Sequence, residues 1–408
     1  MSQLPLEGIR VLDLSRILAG PWAGQYLADL GAEVIKIERA GKGDDARYYG
    51  PPYLADESGA PTSENFFHLS CNRGKKSVTV DLASPEGQEI IRTIAKDCDV
   101  LIENFKVGDL ARYRLDYVSM REVNPRLVYC SLTGFGQTGP YRKRPGYDAV
   151  FQGMSGLMSV TGLPDGEPGG GPMKMGPSIA DIVTGLNAVI GILAALHHRD
   201  RNGGTGQQLD LSLFESMVAA LSHYVQIFLT SGVPPFRRGT QGNGGVPSQM
   251  FRCADGGIML TAGNDAQYHR MCTAIGHPEM ASDPRFNESL TRIANRVALS
   301  AELDAIFMQK STAHWLALLE AAEVPSGPIY NFKEVFEDPH IVARGLRVEV
   351  DHPYNGRTAL VGSPLHFSDT PIDRYGAPPL LGQHTDEILA RYGFDETRRT
   401  ELRGKRVI

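Results

Sequence analysis

Cysteine is scarce and scattered in this chain. Five lie among 408 residues, at Cys71, Cys98, Cys130, Cys253 and Cys272, with no C-x-x-C pair and no Cys/His cluster. That spacing offers neither a zinc site nor a disulfide framework, and a reducing, cytoplasmic compartment is expected. Basic excess is also missing: 41 Lys and Arg stand against 47 Asp and Glu, a net charge of −6. No general nucleic-acid partner is expected from that balance. The opening MSQLPLEGIRVLDLSR mixes charges into its apolar residues, so no signal-peptide core is expected. The most apolar run, residues 182–196, is 15 residues long and contains Thr184 and Asn187. A bilayer span needs roughly 20 residues, so this run reads as a core helix and no membrane partner is expected. The first strand-to-helix turn, Ser15-Arg16-Ile17-Leu18-Ala19-Gly20-Pro21, lacks the G-x-G-x-x-G of nicotinamide-binding units. No G-x-S-x-G or Ser-His-Asp order is found.

What is present is an ordinary globular composition, 42% hydrophobic and 22% charged, at a length that suggests two or three domains. Strand-like segments at residues 9–14, 33–38, 77–82, 99–103, 127–132 and 208–212 alternate with helical ones, including 19–30, 182–196 and 213–229. Ser84-Pro85-Glu86 carries the N-cap serine and first-turn proline of a helix start. Strands spaced by helices imply an α/β fold, a Rossmann-like parallel sheet covered on both faces. Character changes near Ser231, where GVPPFRRGTQGNGGVPSQ leads into a smaller α+β region with a hairpin near Asp255-Gly256-Gly257. Strand patterns return at 346–350 and 358–361.

Basic residues gather at strand ends: Arg39, Lys42 and Arg47 after the second strand, Arg73, Lys75 and Lys76 before the third, Lys106 and Arg112 after the fourth, and Arg142, Lys143 and Arg144 after the fifth. Loops at the carboxyl ends of an open α/β sheet converge on one crevice. Converging guanidinium and ammonium groups there suit phosphates, although the same residues could be solvated surface charge. Asp181 heads the apolar run behind the flexible-looking stretch PDGEPGGGP. It reads either as a helix-terminal partner of the dipole or as a carboxylate nucleophile. His197 and His198 close that helix and suit its dipole. His384 reads as a turn residue before a Thr-capped helix.

Strings throughout the chain carry a family resemblance: LEGIRVLDLSRILAGP, LGAEVIKIERAGKGDDAR, CNRGKKSVTVDL, VLIENFKVGDLARYRLDY, GFGQTGPYRKRPGYDAVFQGMSGLMSVTG, TGQQLDLSLFES, VPSGPIYNFKEVFEDP and PPLLGQHTDEIL. In order and nearly end to end, they resemble the class III CoA-transferases of the formyl-CoA and carnitine type. The resemblance implies coenzyme A as the ligand, carried as acyl-CoA, with no metal. It implies Asp181 as the catalytic nucleophile. It places CoA near Leu18, Ala19, Arg39, Arg73, Lys75, Lys76, Asn104, Phe105, Lys106, Arg112, Arg144 and Tyr147, departing at Leu18, where formyl-CoA enzymes are polar. It implies a lid at Gly242, Asn243, Gly244 and Gly245, with Gln249 beside it. It further implies a discontinuous large domain, residues 1–225 and 345–408, around a small one at 226–344, in a homodimer of interlocked rings.

Two alternatives accompany this reading, an α-methylacyl-CoA racemase-like epimerase and a non-catalytic CoA-binding protein. The racemases pair the aspartate with a histidine in a Gly-His-Asp string. Here the string is Gly146-Tyr147-Asp148, and a phenol, which titrates near 10, is a poor second base. DDARYYGPP, GYDAVFQGMSGLM and VPSQMFRCADG resemble the dicarboxylate branch, which uses succinyl-CoA as donor and a small carboxylic acid such as glutarate as acceptor. A second carboxylate needs cations or amides, and Arg237, Arg238 and Gln249 are the candidates nearby.

Overall fold

Eight strands and their connecting helices open the computed structural model, which describes residues 3–408. The strands are β1 (Arg10–Asp13), β2 (Glu33–Glu38), β3 (Tyr53–Ala55), β4 (Pro61–Asn65), β5 (Lys76–Thr79), β6 (Val100–Glu103), β7 (Val128–Thr133) and β8 (Gln208–Ser212). β3 and β4 form a small antiparallel hairpin. The other six make one parallel sheet in the order β5-β2-β1-β6-β7-β8. Counted without the hairpin, that is the 3-2-1-4-5-6 order of dinucleotide-binding sheets, whose crevice opens where the order reverses, between β1 and β6.

Alternation along each strand sends side chains to two separate cores. Val11, Val34, Val100, Ile102, Val128 and Cys130 pack against the helices Ala19–Asp29 and Ile179–Arg201. Leu12, Leu14, Ile35, Ile37 and Leu101 pack on the opposite face with Ile90, Ile91 and Ile94 of the helix Pro85–Ala95. Ser84 caps that helix through Gly87 N–H at 2.9 Å, as its sequence signature required. The C-terminal helices Thr385–Arg391 and Glu396–Gly404 supply Ile388, Leu389 and Leu402 to the same face.

The chain divides into two units. The larger comprises Met1–Leu157, Met175–Gly232 and His340–Ile408; the smaller comprises Met158–Lys174 and Val233–Pro339. The sequence reading had placed residues 158–174 in the large domain and the breaks at 226 and 344. The larger unit also carries the hairpin β12 (Arg347–His352) and β13 (Gly356–Val361). In the smaller unit β9 (Ser248–Cys253), β10 (Gly256–Thr261) and β11 (Ser326–Pro328) form an antiparallel sheet. Phe251, Ile258, Leu260, Tyr268, Phe286, Leu299, Phe307 and Trp315 fill its core.

Two helices differ from their sequence reading. The expected helix over 213–229 is two, Leu213–Ala220 and His223–Ser231, set at 79° with Ser222 at φ 47°. Apolar periodicity persists through the break and does not mark it. The apolar run is the centre of a 23-residue helix, whose length and composition alone would let it cross a membrane. In the larger unit its Ala180, Thr184, Ala188, Ile192 and Ala195 are buried.

Candidate active site

The turn between β1 and the helix Ala19–Asp29 is strained and held from both sides. Ile17 adopts φ 70°, a left-handed conformation that is costly for a β-branched residue. Its N–H donates to Asp44 Oδ1 at 3.1 Å. Asn104, just past β6, accepts from the Arg16 N–H at 2.9 Å and donates to the Arg16 carbonyl at 2.7 Å. These bonds fix the turn at the point where strand order reverses. The helix then begins at Leu18 with no side-chain cap, leaving its first amides directed outward.

Asp181 meets one of those amides. It lies in the first turn of Ile179–Arg201, whose N-cap, Ser178, makes no side-chain capping bond. The Asp181 carboxyl does not cap its own helix either; it accepts from the backbone N–H of Ala19. Gly185 permits the approach. A Cβ there would lie 2.7 Å from the Ala19 carbonyl oxygen and 3.1 Å from the Trp22 ring. Burial first, and then the nearby Asp148 carboxylate, push Asp181 up from 3.8 to about 7, with the Ala19 N–H opposing them.

Asp148 is a residue that the sequence reading missed as a functional group. It accepts from the Ala180 N–H at 2.8 Å and from Gln152 Nε2 at 2.6 Å. Gln152 also accepts from the Met175 N–H at 2.8 Å, which ties the approach to Asp181. The pair at i and i+4 in GYDAVFQ was the available signal, since both residues then share one helix face. Tyr49 was missed too. Burial, then Tyr147 and the Asp181 charge, hold its phenol above its ordinary value, and its ring stacks on Phe67 at 4.7 Å.

Beside the turn lies a cleft of about 270 Å³. Arg16, Arg39, Phe105, Arg112 and Tyr113 line it, with Val80, Leu82 and Ala83 beyond β5. It therefore brings together Arg39, Phe105 and Arg112 of the expected set, and adds Arg16, whose guanidinium lies over the Phe105 ring at 5.0 Å. Lys106 lines a neighbouring cavity of about 230 Å³ instead.

The segment from Arg73 to Lys76 does not line this cleft, and each of its basic side chains meets a carboxylate. Lys75 is fully buried and donates to Asp13 at 2.9 Å, the Pro21 carbonyl at 2.8 Å and Asn72 at 3.0 Å. Arg73 is buried against Asp29. Lys76 pairs with Glu33 at 3.2 Å and Glu387 at 2.7 Å. Arg47 is likewise buried between Glu38 and Glu64. Their short sequence distance from the crevice did not reveal that each faces a carboxylate.

Leu18 and Ala19 are both buried, and the Ala19 backbone N–H meets Asp181. Arg144 rests over the Tyr141 ring at 4.4 Å, and Tyr147 is an exposed helix N-cap. His384 accepts from the Ser77 N–H at 3.2 Å and caps nothing through its side chain. In the smaller unit, residues 242–245 precede β9, and a Cβ on Gly245 would lie 2.7 Å from Gly263. Gln249 is buried and accepts from Ser300 at 2.9 Å. Among the described residues no three His, Cys, Asp or Glu are arranged so that they could hold a metal ion.

Residues 6–385 match the model of CoA-transferase family III. The chain belongs to that family. It is 44% identical over 387 residues to the succinate–glutarate CoA-transferase of Agrobacterium fabrum, covering 95% of each chain. It is 41% identical to the human succinyl-CoA:glutarate CoA-transferase, over 94% of this chain and 85% of that protein. The crystal structure of a CAIB/BAIF family protein from Brucella suis superposes with a TM-score of 0.84 at 42% identity, covering 96% of this chain and all of that one. This family III CoA-transferase is thus an enzyme acting on CoA thioesters and carboxylic acids.

Proposed function

We propose that this enzyme moves CoA from succinyl-CoA to a dicarboxylic acid, with glutarate the expected acceptor, through covalent intermediates on Asp181. The observation that carries the reading is Asp181 itself, a buried carboxyl beside a second acid and facing the amide of a helix start. The relatives named for succinate and glutarate favour these two acids.

The ionised Asp181 carboxylate attacks the thioester carbonyl, and the C–S bond breaks to leave a mixed anhydride and CoA thiolate. The thiolate attacks the Asp181 acyl carbon and expels succinate, giving an aspartyl-CoA thioester. Glutarate attacks that carbonyl, and thiolate leaves again. The thiolate then attacks the glutaryl carbonyl, forming glutaryl-CoA and freeing Asp181. Each step replaces one difficult exchange by easier acyl transfers. Ala19 and Gly20 N–H groups are the donors for the developing oxyanions. Arg16, Arg39 and Arg112 would hold CoA phosphates, and Phe105 offers an aromatic face. Asn104 fixes the turn they share.

Residues 242–245 are the lid that keeps water from the anhydride. The homodimer is supported by large apolar side chains left exposed on the chain, among them Phe332 at 86% and Leu229 at 67%. Five free, buried cysteines suit a reducing cytoplasm.

Mixing the protein with succinyl-CoA and glutarate and weighing the products tests this directly. Glutaryl-CoA should appear, and Asp181→Ala should abolish it. Product formation that survives in Asp181→Ala would remove the nucleophile assignment.

A further inference from the structure

The larger unit contains a second buried carboxyl that no base answers. Glu103 ends β6, beside the point where the strand order reverses, and is 5% exposed. Register sets its surroundings. Glu103 lies opposite Ser131 of β7, and Ser131 lies opposite Asp210 of β8, so the three side chains share one face of the sheet. Among the described residues no Lys, Arg or His makes an ion pair with Glu103. It lines the cavity of about 230 Å³, together with Lys106, Asp116, Tyr129 and Gln137. Lys106 is exposed, so that cavity reaches solvent.

The hydrogen bonds of Glu103 go to the chain that follows it. Its Oε2 accepts from the Phe105 N–H at 2.8 Å. The Ser131 hydroxyl bonds to the same carboxyl and accepts in turn from Gln208 Nε2 at 3.2 Å. Tyr129 gives its hydroxyl proton to the Leu115 carbonyl at 2.8 Å instead. The segment held in this way is the one that fixes the β1 turn. Asn104 makes both bonds to the Arg16 backbone, and Phe105 carries the Arg16 guanidinium over its ring. Glu103 itself does not line the arginine cleft.

An ionised carboxylate accepts from an N–H more strongly than a neutral carboxyl does. Burial pushes Glu103 up from 4.5 to about 7 against the Phe105 and Ser131 bonds, and the Asp210 charge adds to the rise. Of the other charged groups lining the cavity, Asp116 favours the proton and Lys106 opposes it. Near neutral pH the hold on Phe105 therefore tightens as pH rises.

We propose that Glu103 is a positioning residue for CoA binding: its ionised carboxyl holds Asn104 and Phe105, and through them Arg16, where they meet the CoA phosphates. This rests on the functional reading above, in which Arg16 and Phe105 contact CoA.

Binding of free CoA to the Asp181→Asn protein reads this without titration of the nucleophile. Glu103→Gln in that background keeps the shape and a neutral acceptor. The parent should bind CoA about fivefold more tightly than the variant at pH 8, roughly the charge assistance of one hydrogen bond. At pH 6 the two should bind almost equally. Titration of the CoA phosphates is common to both and cancels in the ratio. In the active enzyme, Glu103→Gln should raise KM for succinyl-CoA and leave kcat nearly unchanged. Ser131→Ala removes a donor from the carboxylate and should move the fall in affinity to higher pH. Urea midpoints equal to the parent establish that Glu103→Gln is folded; where it is not, the Ser131→Ala shift decides, and an unmoved fall overturns the proposal. Equal affinities at pH 8 overturn it. A ratio that is the same at both pH values also overturns it, because Glu103 then acts only as packing. If the parent binds no CoA, the functional reading falls and this proposal with it. Asp181-dependent formation of glutaryl-CoA with equal affinities removes the Glu103 role alone.

Discussion

Buried charge in the larger unit is built in two opposite ways. Under the carboxyl ends of β1 and β2 each acid meets a base: Asp13 with Lys75 at 2.9 Å, Asp44 with Lys36 at 2.8 Å, and Glu38 and Glu64 with Arg47 at 2.8 and 3.0 Å. Burial pushes Asp13 and Asp44 up, but the lysine charges outweigh it and hold both below the ordinary carboxylate range. At the head of the long helix, Asp181 is buried beside Asp148 with an amide for company, and rises to about 7. The side chain is the same; the partner decides whether its charged form is favoured or held back. The smaller unit repeats the division, with Arg292 answered by Asp265 while, among the described residues, Arg238 and Arg296 pair with no acid.

Breaking each side of this contrast should have opposite signs. Asp181→Asn should lower kcat about 10⁴-fold or more, as removal of a nucleophile does, while leaving the fold intact. It should also raise stability at pH 8. The folded-state value of Asp181 is raised from 3.8 to about 7, so the folded chain holds the proton longer than the unfolded one. The penalty is absent below pH 4 and full above pH 7, so Tm at pH 4 should hardly change. A Tm unchanged or lowered at pH 8 would break the contrast.

Lys75→Met should do the reverse. Leaving Asp13 buried and unanswered costs about 3–5 kcal/mol, read as a lower urea midpoint at pH 7. Because the folded-state value of Asp13 is depressed, the stabilisation of the pair is present above the ordinary aspartate value and disappears as pH falls through the folded one. A midpoint within error of wild type would place Lys75 outside the scaffold.

Arg112→Ala sharpens the comparison at the cleft, where its nearest acid, Asp109, is 3.9 Å away. Losing a hydrogen bond to a phosphate should raise KM for acyl-CoA about tenfold with kcat little changed. The smallest effect belongs to Asp148→Asn. Removing that charge should move the acid limb of the kcat/KM profile about one pH unit lower. An unmoved limb would assign the Asp181 shift to burial alone.

Much of this was legible from residues. β2 and β8 begin and end where their apolar patterns do, and Ser84-Pro85 marks its helix start by cap chemistry that is local in sequence. Asp181 stood out because a helix of small residues follows it, a glycine-rich stretch precedes it and no other catalytic motif competes. The break at Ser222 was not legible, since both halves carry the same apolar character. Nor were the fates of Arg73 and Lys75, which depend on Asp29 and Asp13, 44 and 62 residues away.

The sequence by itself determined the parallel α/β architecture and the family, and it singled out Asp181 as the candidate carboxylate, because periodicity, caps and ordered motifs are properties of neighbours along the chain. Only the tertiary structure decided which charges are neutralised and which are left exposed to a reaction. It set Asp148 beside Asp181, brought the Ala19 amide against Asp181 through the space at Gly185, and left Arg238 close to Arg296. Charge acts through distance and burial in three dimensions, and those are set by packing between segments far apart in the chain.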